Sequence, residues 1–264
     1  MDSGSIVGIA SNDIKRINTF TAGFELSRVT GVEASFDERA NSEMMAYAFK
    51  TQHYEQVIQA GDLAHIMNDV IRHMEDLRVG MSYPNYYIAN LASRFVGVSL
   101  SGVGGDELYG GYPWRYYRVM HSLDKNQYFQ NYYDFWQRLV SDDQKTSVFT
   151  DQISKLMDFG SPRKVFESVF KGAKYGLSFD RAEDHVSNSL YFEAKTFLHS
   201  LLLVGDRLAM AHSLEERFPF LDNDLVDFAI TIPIEYKIKN FASIKRIDEN
   251  VSRKYSKFYM DCND

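Results

Sequence analysis

The strongest constraint on the fold of this chain is an alternation of two hydrophobic periods across its first 120 residues. Ser3 to Ala10 places Ile6, Val7, Ile9 and Ala10 after a short polar start and reads as a helix. Ile17 to Phe24 is rich in β-branched and aromatic residues and reads as a strand. Ser35 followed by Glu38 has capping-box spacing ahead of a helix carrying Ala40, Met44, Tyr47 and Ala48. Tyr54 to Ile58 reads as a second strand. Leu63, Ile66, Met67, Val70, Ile71 and Met74 then recur at helical spacing with polar residues between them. Pro84 suits a first helical turn, and Tyr87, Ile88, Leu91, Ala92 and Phe95 continue the buried face of that helix. Val96 to Leu100 closes the series as a buried strand. Strands separated by helices of this length imply a parallel sheet with right-handed crossovers.

After Pro113 the pattern changes. Tyr128–Leu139, Ile153–Met157, Val165–Phe170 and Leu190–Met210 read as helices, and no convincing strand is evident. The expected organisation is therefore an α/β part over 1–120 and a mostly helical part over 121–264. With 264 residues, 45% of them hydrophobic, the chain has ample material for a core. The net charge of −7 argues against sequence-independent nucleic-acid binding. No apolar run is long enough to span a membrane, and no secretory signal is visible at the start. The lone cysteine, Cys262, forms no internal disulfide and fits a reducing, cytoplasmic setting.

Chemistry concentrates in Ser99–Tyr112. A strand runs into Ser101-Gly-Val-Gly-Gly105, followed by Asp106 and Glu107 and then by Gly110 and Gly111. Glycines let backbone N–H groups approach phosphate oxygens, and adjacent carboxylates suit Mg²⁺. The same segment also reads as a glycine-rich turn before an acidic helix start, and composition alone leaves both open. Asp2 and Ser3 read by themselves as N-cap residues. The charges of Asp206-Arg207 and Glu215–Arg217 read by themselves as a buried ion-pair network. No Gly-x-Gly-x-x-Gly follows a first strand and no histidine pair has metal spacing, which argues against dinucleotide redox chemistry and zinc hydrolysis.

Together these segments resemble the synthetase domain of the asparagine synthase family, within the PP-loop ATP pyrophosphatases. Met1-Asp2-Ser3 matches the end of that family's Ser-Gly-Gly-x-Asp-Ser, and Leu100–Tyr112 is similar to its Leu-Ser-Gly-x-Gly-x-Asp-Glu-x-x-Gly-Gly-Tyr. Asp206–Asp222 matches its Asp-Arg-x-x-Met-Ala-x-x-x-Glu-x-Arg-x-Pro-Phe-Leu-Asp, and Thr19–Phe24 is similar to its second strand. The resemblance implies an α/β fold with a parallel sheet of the adenine-nucleotide α-hydrolase (PP-loop) type. It further implies carboxylate activation by ATP through an acyl-adenylate, with ammonia displacing AMP to form an amide such as asparagine. By the same resemblance Asp2 and Asp106 hold Mg²⁺, Ser3 binds phosphate, and Ala22, Ser101 and Gly102 line the nucleotide pocket, so that Asp2, Ser3, Ala22, Ser101 and Gly102 make up the cofactor-binding set. Lys245 and Glu107 are the implied catalytic residues. The implied partners are aspartate or a related carboxylate, ammonia, and a glutaminase domain or separate subunit.

The sequence also departs from that family. The Ser-Gly-Gly ahead of Met1, with the first strand that carries it, and the glutaminase half are not in this sequence. Relatives continue beyond the region of Lys245. Val103 stands where asparagine-forming members carry glutamate, which keeps another carboxylate substrate open. The expectation is a truncated copy that binds ATP weakly and forms no asparagine by itself. The alternative is a non-catalytic nucleotide-binding remnant.

Overall fold

The computed structural model of the protein describes residues 1–25, 37–76, 82–137, 140–156, 161–173, 177–238 and 241. The chain divides into two compact units: Met1–Asp106 with Leu198–Ile230, and Glu107–Phe197 with the segment that begins at Thr231. The division is not a single cut near residue 120. The chain leaves the first unit within its acidic pair and returns to it for a long apolar helix.

The first unit opens with α1 (Asp2–Ala10), β1 (Asn18–Phe24), α2 (Arg39–Phe49), β2 (Gln52–Ile58), α3 (Asp62–Met74), α4 (Tyr83–Ser93) and β3 (Val98–Leu100). The short α5 (Gly105–Tyr109) spans the change of unit. The second unit carries α6 (Pro113–Tyr117), α7 (Lys125–Trp136), α8 (Lys145–Val148), α9 (Asp151–Leu156), α10 (Pro162–Lys171) and α11 (Ala182–Lys195). The chain then forms α12 (Phe197–Met210), β4 (Glu215–Arg217), a 3-10 turn at Pro219–Leu221, α13 (Asn223–Thr231) and α14 (Ile234–Lys237).

The class is mixed α/β, mostly helical, with parallel strand pairing throughout. β1 pairs with β2 in parallel from Asn18↔Gln52 to Phe24↔Ile58, and β3 pairs with β4 in parallel from Val98↔Glu215 to Leu100↔Arg217. The expected continuous sheet is instead two separate two-stranded pairs among the described residues. Two further corrections concern β3 and its partner. Val98 and Leu100 are 44% and 53% exposed, so β3 is not the buried strand its composition suggests. Its partner β4 lies in the region read as strandless, because three charged residues carry no strand signature.

Local expectations meet mixed outcomes. The N-cap of α2 is Glu38, without a side-chain cap bond, and Ser35, the other half of the expected capping box, lies outside the described residues. Asp37 ties the region together instead. Its carboxylate accepts from the Phe24 N–H at 2.9 Å, the Arg39 N–H at 3.1 Å and Arg39 Nε at 3.0 Å, while Arg39 Nη2 donates to the Phe24 carbonyl at 2.7 Å. α4 ends at Ser93, so Phe95 falls outside the helix it was assigned to. The apolar face of α3 buries Ile66 and Met74 while Leu63, Met67 and Ile71 stay exposed. The stretch read as one helix over Leu190–Met210 breaks at Thr196, whose φ of −124° is not helical.

Hydrogen bonds from Arg39 first, and the two backbone N–H groups, hold the Asp37 carboxyl below the usual carboxylate range. Its stabilisation is therefore complete above that range and is lost as pH falls through the depressed value. Asp37→Ala is expected to destabilise the first unit by about 2–3 kcal/mol at pH 7. Urea unfolding at pH 7 and pH 3 checks this, since the deficit must shrink at the lower pH.

The core of the second unit is aromatic. Tyr128, Phe129, Tyr132 and Tyr133 of α7 recur one turn apart and pack with Phe166 and Phe170 of α10, Phe179, and Phe192 of α11. Both tryptophans, Trp114 and Trp136, belong to this unit.

Candidate functional site

The first unit gathers the sequence-marked residues at the start of α1 and the loop after β3. The N-cap of α1 is Met1, and no side chain makes the capping bond, so Asp2 and Ser3 are not the N-caps that local sequence suggests. They are helical residues whose side chains face the glycine loop. A Cβ built on Gly102 would stand 2.6 Å from Ser3 N and 2.7 Å from Ser3 Oγ. One built on Gly105 would stand 2.5 Å from Asp2 Cγ and 2.7 Å from its Oδ2. All four distances are far inside van der Waals contact, so only glycine admits this approach. The Asp2 carboxylate therefore lies against the residue that precedes Asp106. Residues a hundred positions apart meet here, at the start of α1.

Ser101 continues β3 pairing, its N–H donating to the Arg217 carbonyl at 2.9 Å, and its hydroxyl accepts from the Val103 N–H at 3.4 Å. Ser3 and Ser101 line one cavity of about 520 Å³. Ala22 sits in β1 opposite Gln56 and is not among the residues lining that cavity. Glu107 belongs to the second unit, where it is buried and accepts a hydrogen bond from the Tyr112 hydroxyl at 2.8 Å. Lys245 lies outside the described residues, as does Cys262.

The charges of the third segment do not form the expected buried ion-pair network. Asp206 is exposed, and Arg217 pairs with Glu215 at 2.8 Å with both side chains more than half exposed. Arg207 instead donates to the Met74 carbonyl, closing the C-terminal turn of α3 where a cation suits the helix dipole. Glu216 lines the same cavity as Ser101. Burial pushes its carboxyl above the usual range, against a hydrogen bond with Ser101, and Asp206 adds to the rise. Sequence reading grouped Glu216 with its charged neighbours; the distinguishing signal, one residue of a short strand turned inward, depends on a pairing with β3 that local pattern does not reveal.

Hard-oxygen donors suitable for a divalent cation are the carboxylates of Asp2 and Asp106. Among the described residues no group of three or more His, Cys, Asp or Glu is placed to hold a metal ion. No helix among them is long and apolar enough to cross a membrane.

Comparison with known proteins bears on this arrangement directly. The chain is 27% identical over 269 residues to asparagine synthetase [glutamine-hydrolyzing] 1 of Bacillus subtilis (strain 168), covering 91% of this chain and 40% of that protein. It is 28% identical over 259 residues to asparagine synthetase [glutamine-hydrolyzing] 3 of the same organism, covering 90% and 38% respectively. The chain thus spans about two fifths of the length of these curated relatives. The family model described as asparagine synthase matches residues 1–256, which takes in the Asp2–Gly105 contact, the acidic pair and the Asp206–Asp222 segment alike; the chain belongs to the asparagine synthase family.

Proposed function

We propose that the first unit carries the ATP-activating site of an amide-forming ligase. The observation that carries this reading is the contact of Asp2 and Ser3 with Gly102 and Gly105, which sets a helix start and the Asp2 carboxylate against the glycine loop that leads into Asp106. Family membership and the names of the relatives support the reaction class.

In this reading the substrate carboxylate attacks the α-phosphorus of ATP, the bond to the bridging oxygen breaks, and pyrophosphate leaves. Ammonia then attacks the acyl carbon, the bond to AMP breaks, and a proton passes from the new ammonium to a base. The Ser3 hydroxyl and the α1 N–H groups bind phosphate oxygens, which accumulate charge as pyrophosphate departs. The family resemblance gives Ser101, Gly102 and Ala22 to the nucleotide pocket, and of these Ser101 lines the cavity described above. Glu107, which accepts from the Tyr112 hydroxyl, and Lys245 keep the catalytic roles that the family resemblance implies.

Mg²⁺ fits the donors present, since the Asp2 carboxyl fills the space a Cβ on Gly105 would occupy, one residue from Asp106. The carboxylates of Asp2 and Asp106 would hold the ion, oxygen donors of the kind it prefers. Bound there, Mg²⁺ would neutralise phosphate charge. Val103 at the position of the family's glutamate favours testing carboxylates other than aspartate.

The test is Mg²⁺-dependent exchange of labelled pyrophosphate into ATP, with a panel of carboxylates that includes aspartate. One carboxylate is expected to support exchange, and Asp106→Asn to lower it by about a hundredfold or more. Absence of exchange with every carboxylate, while ATP still binds, would replace this reading with a non-catalytic nucleotide-binding module.

A further inference from the structure

Glu216 is the middle residue of β4 and turns away from its charged neighbours. Side chains alternate along a strand, so Glu215 and Arg217 share the other face, where they pair at 2.8 Å with both more than half exposed. Glu216 lies opposite Ser99 in the parallel register, and Ser99, Ser101 and Glu216 line one cavity. α12 closes over this carboxyl. A Cβ on Gly205 would overlap Glu216 Oε2 and stand 3.1 Å from its Cδ, so glycine is what lets the helix come this near. Glu216 also meets Ser101 in a hydrogen bond, and Ser101 leads into the glycine loop whose Gly102 backs onto Ser3.

A serine hydroxyl has one proton to donate and two lone pairs. One lone pair of Ser101 Oγ takes the Val103 N–H at 3.4 Å. An ionised Glu216 only accepts, so it draws the hydroxyl proton to itself. A protonated Glu216 donates to the second lone pair instead, and the hydroxyl proton is then free for an acceptor in the cavity that Ser3 also lines. A phosphate oxygen is such an acceptor, and the second arrangement alone satisfies it. The surroundings favour the neutral carboxyl: burial pushes it above the usual range, Ser101 opposes the rise, and Asp206 of α12 adds to it. The other titratable groups bordering the cavity are Arg16, between α1 and β1, and His53 of β2, whose Nδ1 meets Thr19 Oγ1 at 2.9 Å. A carboxylic acid kept neutral by its site is an effective donor.

We propose that Glu216 is a positioning residue, a protonated carboxyl beside the glycine loop that turns the Ser101 hydroxyl toward a phosphate of the bound nucleotide, so that nucleotide binding takes up a proton. The inference rests on the nucleotide site proposed above and gives Glu216 itself no contact with the nucleotide. Linkage sets the sign: affinity is greatest at low pH and weakens as pH rises through the Glu216 value of the free protein.

The experiment measures calorimetric binding of ATP with Mg²⁺ to the full chain at pH 5.5 and pH 8, beside Glu216→Gln. Glutamine keeps the shape and always donates, so the variant should match the unaltered chain at pH 5.5 and hold that affinity, apart from the titration of ATP that both share. Relative to the variant, the unaltered chain is expected to lose about tenfold or more by pH 8. Repeated in two buffers of different ionisation enthalpy, its binding should report uptake of up to about one proton. Ser101→Ala should abolish the difference between glutamate and glutamine at position 216. Equal pH dependence of the two chains would overturn the proposal and leave the nucleotide site standing. A variant that folds but binds more weakly at both pH values would also overturn it, because binding would then need the ionised carboxylate. Should Glu216→Gln not fold, the proton count of the unaltered chain decides, and no uptake overturns the proposal. Absence of ATP binding to either chain at both pH values would overturn the proposed function and this inference with it.

Discussion

Arg115→Met is expected to destabilise the second unit by about 3–5 kcal/mol, because it leaves a buried carboxylate without its cation. Glu193 is fully buried, and its partners are Arg115 Nη1 at 3.1 Å, the Tyr132 hydroxyl at 2.8 Å and the Tyr116 hydroxyl at 3.3 Å. The guanidinium also lies over the Tyr112 ring at 3.8 Å and the Phe197 ring at 4.3 Å, so methionine keeps part of the packing and removes the charge. Burial already pushes the Glu193 carboxyl above the usual range, opposed first by Arg115 and then by the tyrosine hydroxyls. A carboxyl raised on folding contributes fully below its unfolded value and loses that contribution as pH rises through the folded one. Without Arg115 the rise is larger, so the deficit must be greater at pH 8 than at pH 5. Urea unfolding at the two values checks both the size and the sign. A deficit under about 1 kcal/mol, or one that grows toward acid, contradicts the assignment. Adding Glu193→Leu should recover most of the loss, since an apolar pair can replace a buried ion pair.

A second large effect is expected at Phe166. Its ring lies 4.9 Å from Phe192, 5.4 Å from Phe170 and 5.4 Å from Tyr133. Phe166→Ala opens a void among rings that cannot collapse together, at a cost of about 3–5 kcal/mol. Phe166→Leu should lose about half as much, because it keeps most of the volume. Equal losses for the two variants would point to edge-to-face geometry, not volume, as the stabilising factor.

Legibility in the sequence followed the range of the physical signal. α1, β1 and β2 were readable because their patterns are complete within a few residues and bounded by polar ones. α3 was readable from its apolar spacing, although the spacing did not tell that Leu63, Met67 and Ile71 stay in solvent. β4 was invisible, since Glu215-Glu216-Arg217 becomes a strand only through its pairing with β3. The break at Thr196 was hidden because apolar residues continue on both sides of it. For the site, local reasoning gave Asp2 and Ser3 the role of helix caps, whereas their actual neighbours are Gly102 and Gly105. No local period encodes such a contact; only the ordered motifs of a family pointed to it. The roles of Glu216 and Arg207 depend likewise on which distant backbone each reaches.

The placement of both tryptophans in the second unit has an experimental consequence. Indole emission, the customary optical probe of denaturation, follows the ring-packed second unit alone, and the first unit melts unseen by it. A single smooth emission curve therefore says nothing about whether the two units lose structure together. Comparing it with far-ultraviolet dichroism, which registers helices of both, separates one cooperative transition from two.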